Sequence, residues 1–293
     1  MITGLHHVTA IASDPQKNLD FYTKFMGLRL VKKTVNFDDP GTYHFYFGDE
    51  AGSPGTILTF FPWPGSFRGR KGSGQTVRTA YTVPKNSLGE WVDKARQAGV
   101  AVDGPQTRMN EEFITLTDPD GMLIELFATG DHEKGLGAFH SVTLAETGLD
   151  PTAGVVGGLL GWKKIAEEGD RVRYASSGAG VVDIEVVPDG PRGSSGAGTV
   201  HHIAFRTPDD ASQAEWRRKI EHSGLHVSPV MDRNYFHSIY FREPGGVLFE
   251  IATDPPGFTV DEPLAELGQN LKLPAQYESM RTRLETVLPR LKV

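Results

Sequence analysis

The order of apolar and polar residues predicts one group of elements that recurs four times along the chain. In residues 3–62 an alternating strand, Leu5–Ile11, precedes a helix at Pro15–Phe25. Asp14 is a suitable N-cap for this helix, and Gly27 is a suitable end for it. Three strands then follow, at Arg29–Asn36, Tyr43–Gly48 and Thr56–Phe61.

The same order of elements returns in three further stretches, residues 75–128, 137–188 and 199–253. Their first strands are predicted at Thr76–Val83, Phe139–Leu144 and Val200–Arg206, and their helices at Ser87–Ala98, Thr152–Leu160 and Asp210–Ser223. The glycine-rich stretch 189–198 is typical of a flexible connector. The tail, residues 254–293, contains a predicted helix at Ala275–Val287 and does not form a fifth module.

Four βαβββ modules of this kind resemble the vicinal oxygen chelate superfamily, which includes glyoxalases, bleomycin-resistance proteins and extradiol dioxygenases. The resemblance implies an α+β fold in which two modules pair into a cup-shaped mixed sheet with a metal at its centre. It also implies that the first and last strands of each module supply the ligands. The periodicity by itself indicates only an α+β repeat. We expect two domain regions, residues 1–130 and 137–253, and then the tail, residues 254–293.

Three of the four modules share a motif on the first strand. The matching segments are Leu5-His6-His7-Val8-Thr9, Phe139-His140-Ser141-Val142-Thr143 and Val200-His201-His202-Ile203-Ala204. In this alignment the metal position is His7 in module one, Ser141 in module three and His202 in module four. Module two has no histidine on its first strand.

The last strand of each module is the other potential source of ligands. Four residues beyond the turn glycine, module four has Glu250 and module two has Glu125, whereas module one has Thr59. Pairing modules one and two, or three and four, would unite only two ligands. Pairing modules one and four unites His7, His202 and Glu250. We therefore expect residues 3–62 and 199–253 to form the metal cup, with Glu125 a relic in a metal-free cup.

Two histidines and one carboxylate form a facial triad with open coordination positions, a ligand set suited to non-haem Fe(II) and O2 chemistry. A single histidine on a strand is more often a packed or surface residue than a ligand. A His-His pair at the same place in two repeats, together with a register-matched glutamate, favours metal binding instead. The ligands alone do not choose the metal, because they suit Zn, Fe, Mn and Ni alike.

Residues around the triad are candidates for catalysis. Tyr240 lies across the Pro-Gly-Gly turn from Glu250, and Arg233 precedes the Tyr240 strand. A phenol can donate a proton to an oxygen ligand, and a guanidinium can stabilise a phenolate. On pattern alone, a cross-strand tyrosine and a surface arginine are the commoner interpretations. Alternation along a strand should point His6 and His201 away from the ligand histidines, so for His6 a packing role and an acid–base role are both open.

Longer segments resemble a narrower group, the bacterial hydroquinone ring-cleaving dioxygenases. The similarity extends over nearly the whole chain, and its most specific parts are Tyr43–Pro62, Gly69–Gln75 and Tyr240–Glu250. The resemblance implies that iron is held by the triad His7, His202 and Glu250. It also implies that His6, Arg233 and Tyr240 handle the substrate and take part in catalysis.

The predicted function is that of a non-haem Fe(II) dioxygenase, with Mn(II) as a second candidate metal, that cleaves small aromatic diols with O2. Its role would be aromatic degradation or quinone detoxification. One alternative is a glyoxalase-like isomerase or lyase, for which the resemblance implies four protein ligands rather than three. The other is a non-catalytic binder of the bleomycin-resistance type, and such proteins usually lack the triad.

Composition limits the possible binding partners, the possible metal sites and the cellular location. The 293 residues carry a net charge of −7, which disfavours nucleic acid or an anionic membrane as a partner. The absence of cysteine excludes disulfides and thiolate metal sites and fits a reducing cytoplasm. There is neither a signal-peptide pattern nor an apolar run long enough to span a membrane. We expect a cytoplasmic homo-oligomer.

Overall fold

The computed structural model describes residues 2–292, so Met1 and Val293, the outer bounds of the predicted first region and tail, lie outside the described residues. Its strands are β1 (Leu5–Ala12), β2 (Arg29–Val35), β3 (Tyr43–Gly48), β4 (Ile57–Pro62), β5 (Gln75–Pro84), β6 (Val102–Arg108), β7 (Glu111–Thr117), β8 (Leu123–Gly130), β9 (Phe139–Glu146), β10 (Lys163–Glu168), β11 (Arg171–Ala175), β12 (Val181–Val186), β13 (Val200–Thr207), β14 (Met231–Asp232), β15 (Phe236–Arg242) and β16 (Leu248–Pro256). Its α-helices are α1 (Pro15–Asp20), α2 (Leu88–Ala98), α3 (Asp150–Ala153), α4 (Asp210–His222) and α5 (Arg281–Val287).

These strands form two eight-stranded mixed sheets. The outer-module sheet joins modules one and four in the order β14-β15-β16-β13-β1-β4-β3-β2, and the inner-module sheet joins modules two and three in the order β10-β11-β12-β9-β5-β8-β7-β6. In each sheet the first strands of two modules run antiparallel at the centre, and each lies parallel to the last strand of its own module. The predicted fold, an α+β protein of four modules in two mixed sheets, is confirmed.

The helices of the four modules begin within two residues of their predicted starts, but two of them change character along their length. The Asp14 side chain accepts hydrogen bonds from the backbone N–H groups of Gln16 and Lys17, as an N-cap does. The helix of module one then continues as a π-helical turn at Phe21–Phe25, and that of module three as one at Gly154–Leu159.

The central strands are buried on both faces. All eight residues of β1 are buried, as are all eight of β9. The alternation of apolar and polar residues along these strands therefore does not separate a core face from a solvent face. A single apolar cluster includes residues of both sheets, among them Val8, Phe205, Val142 and Ile124. The two sheets therefore share one continuous core.

The stretch 189–198, expected to be a flexible connector, is instead paired with the segment that links modules one and two. Gly69 N–H donates to Ala197 C=O at 2.9 Å, and Arg70 N–H donates to Ser194 C=O at 3.0 Å. A Cβ atom on Gly72 would lie 2.1 Å from the Pro191 oxygen. The glycines therefore serve the close approach of two backbones, which composition alone does not distinguish from flexibility.

The tail covers the edge strand β2. Lys272 N–H donates to Lys33 C=O at 2.9 Å, and the Tyr277 hydroxyl donates to Phe37 C=O at 2.7 Å. The helix predicted at Ala275–Val287 is a 3₁₀ segment, Ala275–Met280, followed by α5. Covering an edge strand in this way satisfies its backbone groups and prevents pairing with another chain. Within residues 2–292, no helix has both the length and the apolar character needed to cross a membrane.

A buried ion cluster attaches the tail to the outer-module sheet. The Lys32 side chain is fully buried on β2, and its Nζ lies 2.5 Å from Asp261 Oδ1 and 2.5 Å from Glu262 Oε2. Glu262 is also buried. Removing one partner of a buried pair leaves the other charge uncompensated, which costs about 3–5 kcal/mol.

We therefore expect Lys32→Met to lower the free energy of unfolding in urea by about 3–5 kcal/mol. The matched control is Lys85→Met, because Lys85 and its partner Asp131 are both exposed and such a pair contributes about 0–1 kcal/mol. Equal unfolding midpoints for the two variants would show that the cluster does not anchor the tail.

Candidate metal centre

Three side chains converge at the centre of the outer-module sheet. His7 Nε2 lies 3.3 Å from His202 Nε2 and 3.2 Å from Glu250 Oε2, and His202 Nε2 lies 2.9 Å from the same oxygen. All three residues are buried. They meet because β1 pairs with β13 and β13 pairs with β16, so adjacent strands of two modules contribute them.

The donor set fits a metal ion. Ligand atoms on one face of an octahedron with bonds of about 2.1 Å stand about 3.0 Å apart, close to the three separations here. Glu250 Oε1 accepts a hydrogen bond from the Ser238 hydroxyl, but the buried Oε2 has no hydrogen-bond partner among the described residues. A buried carboxylate oxygen without a donor, directed at two imidazole nitrogens, is the arrangement expected of a metal-binding oxygen.

The protonation states of the triad also suit metal binding. Burial lowers the pKa of His202 below its usual range despite the adjacent Glu250 carboxylate, so the imidazole is neutral. Burial acts to raise the pKa of Glu250, but the adjacent His7 and His202 side chains hold it well below its usual range. Neutral imidazole and ionised carboxylate are the forms that bind metals.

The position equivalent to Glu250 in module one holds Thr59. Thr59 pairs with Thr9 in the parallel β1–β4 ladder, as Glu250 pairs with Ala204 in the β13–β16 ladder. The Thr59 hydroxyl lies 2.8 Å from the Thr9 hydroxyl and 2.9 Å from His44 Nε2. A neutral hydroxyl engaged in two hydrogen bonds takes the place that a fourth charged ligand would have, so the centre offers three ligands.

His6 and His201 do not point away from the ligand histidines. His6 Nδ1 lies 2.9 Å from His7 Nδ1, and His201 Nδ1 lies 2.8 Å from His202 Nδ1. The β1–β13 register skips His6 on one strand and His201 on the other, so each is the extra residue of a β-bulge. The prediction of opposite orientations is wrong because side chains do not alternate regularly at a bulge.

A cavity of about 340 Å³ opens from the triad, and we refer to it as the metal cavity. Tyr240 and Arg233 both line it, and the Arg233 Nε donates to the Tyr240 hydroxyl oxygen at 3.2 Å. Its aromatic walls are Phe37, Tyr46, Phe61, Trp63 and Phe236. His201 is also a lining residue, whereas His6 is buried behind His7 and packs against Phe236.

His44 also lines the metal cavity, although no motif in the sequence singles it out. His44 lies on β3 and packs between the Tyr46 and Phe61 rings, with ring-centre distances of 4.0 and 4.4 Å. Its Nδ1 is buried without a hydrogen-bond partner in the described chain. The sequence contains one signal for His44, its place within a strand of aromatic residues. That pattern is equally typical of a histidine packed in a core.

Glu125 occupies the corresponding place in the inner-module sheet but is neutralised differently. Glu125 pairs with Ala80 as Glu250 pairs with Ala204, which sets Arg78 at the position of His202. Arg108 binds both Glu125 oxygens, at 2.7 and 2.8 Å, and Arg78 Nε lies 3.4 Å from one of them. Two guanidinium groups therefore supply the positive charge beside Glu125.

Comparisons with known proteins agree with this architecture. The family model described as the glyoxalase/bleomycin resistance protein/dioxygenase superfamily matches residues 4–126 and 140–251. The Bacillus subtilis protein MhqO, to which ring-cleaving dioxygenase activity is ascribed, is 47% identical over 96% of this chain and 94% of its own. The chlorohydroquinone/hydroquinone 1,2-dioxygenase of Sphingobium indicum is 33% identical over 97% of this chain and 95% of its own.

A solved structure gives the same result for the fold. The crystal structure of a Bacillus subtilis protein to which dioxygenase activity is ascribed superposes on this chain with a TM-score of 0.95 at 45% identity. The match covers 100% of this chain and 98% of that protein's chain. Both resemblances drawn from the sequence are thereby confirmed. The chain belongs to the glyoxalase/bleomycin resistance protein/dioxygenase superfamily.

Proposed function

We propose that this protein is an Fe(II)-dependent dioxygenase that opens the ring of hydroquinone-type aromatics with O2. The observation that carries the proposal is a buried centre with two imidazoles and one carboxylate that faces a cavity with aromatic walls. Three protein ligands leave coordination positions for a substrate oxygen and for O2. The similarity to a hydroquinone dioxygenase over nearly the whole chain supports the substrate class.

His7, His202 and Glu250 would hold the metal, and Fe(II) would supply the redox chemistry with O2 that zinc lacks. The chain itself positions the aromatic ring. Phe61, Trp63 and the other aromatic walls can stack on a flat six-membered ring and exclude water from it. These contacts favour an aromatic diol over an aliphatic substrate of similar size.

Arg233 and Tyr240 supply charge and a proton at the same side of the metal cavity. Burial raises the pKa of Tyr240, so the phenol keeps its proton at neutral pH and can donate it to an oxygen of the substrate. The Arg233 guanidinium, which also lies over the Phe37 ring, would stabilise a deprotonated substrate oxygen. His6 acts behind His7 and would orient that imidazole rather than touch substrate.

The two alternative functions have less support. A glyoxalase-like isomerase would need a fourth ligand at the place that Thr59 occupies. A non-catalytic binder would not need the triad. A cytoplasmic location, a homo-oligomeric state and a role in aromatic degradation or quinone detoxification stay predictions.

The direct test is O2 uptake after anaerobic loading with Fe(II). We expect uptake with hydroquinone or methylhydroquinone to match ring-opened product one to one, and we expect no uptake after loading with Zn(II), which has no redox activity. Catechol serves as the comparison substrate. One bound metal per chain without O2 uptake on any of the three diols would contradict the proposal.

The two structurally equivalent glutamates provide a matched pair of variants. Glu250→Gln should lower iron affinity at least about tenfold and abolish turnover, because a neutral amide replaces the carboxylate ligand. Glu125→Gln should keep iron and turnover but lose about 3–5 kcal/mol of stability, because Arg108 loses its buried charged partner, whereas Arg78 keeps its ion pair with Glu185. Metal analysis and thermal unfolding measure both effects. Iron loss in Glu125→Gln, or full iron in Glu250→Gln, would overturn the assignment.

Removal of one hydroxyl tests the proton donor. Tyr240→Phe should lower kcat by about 10²–10⁴, the range for a general acid, with iron content unchanged. Tyr43→Phe is the control, because its hydroxyl donates only to the Pro289 carbonyl of the tail and does not line the metal cavity. Equal steady-state kcat values for the two variants would exclude Tyr240 as the donor.

A further inference from the structure

A second cavity of about 220 Å³ adjoins the metal cavity, and His201 and Leu248 line both of them. Three segments build its other walls: the start of β5, the paired connector and the turn between β15 and β16. Its polar lining residues include Ser73, Gln75, Thr76, Arg192, Ser195 and Arg242. We refer to this space as the arginine cavity.

The arginine cavity has an excess of positive charge. Arg192 and Arg242 line it together with neutral residues, and no acidic side chain is among its lining residues within the described chain. The ion pairs found in residues 2–292 use other arginines, so neither guanidinium is neutralised by a carboxylate within 4.0 Å. Burial and the Glu243 charge raise the pKa of the nearby Glu146 to about 8, although the Arg192 charge acts to lower it, so the protonated form of this carboxyl is favoured.

Both arginines keep N–H donors for a ligand. Arg242 Nη1 donates to the Gly246 carbonyl, which leaves the other N–H groups of this guanidinium. The Arg192 and Arg242 side chains are both exposed, so a molecule in the arginine cavity can reach them.

We propose that the arginine cavity binds the carboxylate of a small organic acid next to the metal cavity. Guanidinium groups hold carboxylates through paired, charge-assisted hydrogen bonds. The connection through His201 and Leu248 gives a molecule in the metal cavity access to these groups.

The proposed reaction provides such an acid, and this assignment of the ligand's source rests on the proposed function. Hydroquinone is neutral at pH 7. When O2 opens its ring, the bond between a hydroxylated carbon and the adjacent C–H carbon breaks. One oxygen atom makes the first carbon a carboxylic acid and the other makes the second carbon an aldehyde, so the product contains every atom of hydroquinone and of O2. The new carboxylate would move from the metal cavity towards Arg192 and Arg242.

Calorimetric titration of the iron-loaded protein with cis,cis-muconate under anaerobic conditions tests the site without turnover. We expect binding of muconate but not of its neutral dimethyl ester. Arg192→Gln and Arg242→Gln should each raise the muconate Kd about tenfold or more, as loss of a charged hydrogen bond does. Arg218→Gln, a substitution of an exposed arginine on α4, should leave the Kd unchanged. No binding by the parent protein, or one Kd for all four proteins, would overturn the proposal.

Kinetics then identifies where the carboxylate comes from. If the ring-opened product binds, Arg242→Gln should raise the product inhibition constant with hydroquinone as substrate. If an anionic substituent of the substrate binds, Arg242→Gln should raise the KM for 2,5-dihydroxybenzoate more than the KM for hydroquinone. A variant in which neither constant changes would contradict a role in the reaction. Muconate binding that depends on the two arginines in a protein without dioxygenase activity would uphold the site and reject the proposed function instead.

Discussion

A carboxylate at the centre of a sheet with no access to water must be balanced by positive charge, because the cost of burying an isolated charge exceeds the stability of a typical domain. Two equivalent glutamates of this protein are under that constraint. Glu250 and Glu125 are both fully buried at matching places in the two sheets. Arg108 and Arg78 balance Glu125 from within the chain. Glu250 has two imidazoles instead, and they are neutral ligands when a metal provides the charge.

If the proposed function holds, the contrast explains how one scaffold supports chemistry in one cup and stability in the other. The frame of strands is the same, but two positions differ: the inner-module sheet has Arg78 at the position of His202 and Ser141 at the position of His7. In the metal cup the bulges at His6 and His201 add a second imidazole beside each ligand. Such contacts fix the orientation of a ligand ring. The inner-module sheet has the same irregularity at His140, but the neighbour of that imidazole is the Ser141 hydroxyl, at 3.0 Å, in place of a ligand histidine.

The repeats made much of this arrangement predictable. Module boundaries, the strand order within a module and the capping of the first helix by Asp14 follow from periodicity and local turn chemistry. The convergence of His7, His202 and Glu250 followed from counting ligands in each possible pairing of modules. Long-range features did not follow: the bulges depend on the register between β1 and β13, and the pairing of stretch 189–198 depends on contacts with a segment more than 100 residues away. His44 was missed because its role depends on which neighbours the fold gives it.

The central claim is that only one of the two equivalent glutamates belongs to a metal centre. Anomalous diffraction at the iron absorption edge, from crystals soaked anaerobically in Fe(II), tests this claim most directly. We expect one strong peak per chain, within bonding distance of His7 Nε2, His202 Nε2 and Glu250 Oε2, and no peak beside Glu125. A peak beside Glu125, or no peak at the triad despite saturating iron, would contradict the account.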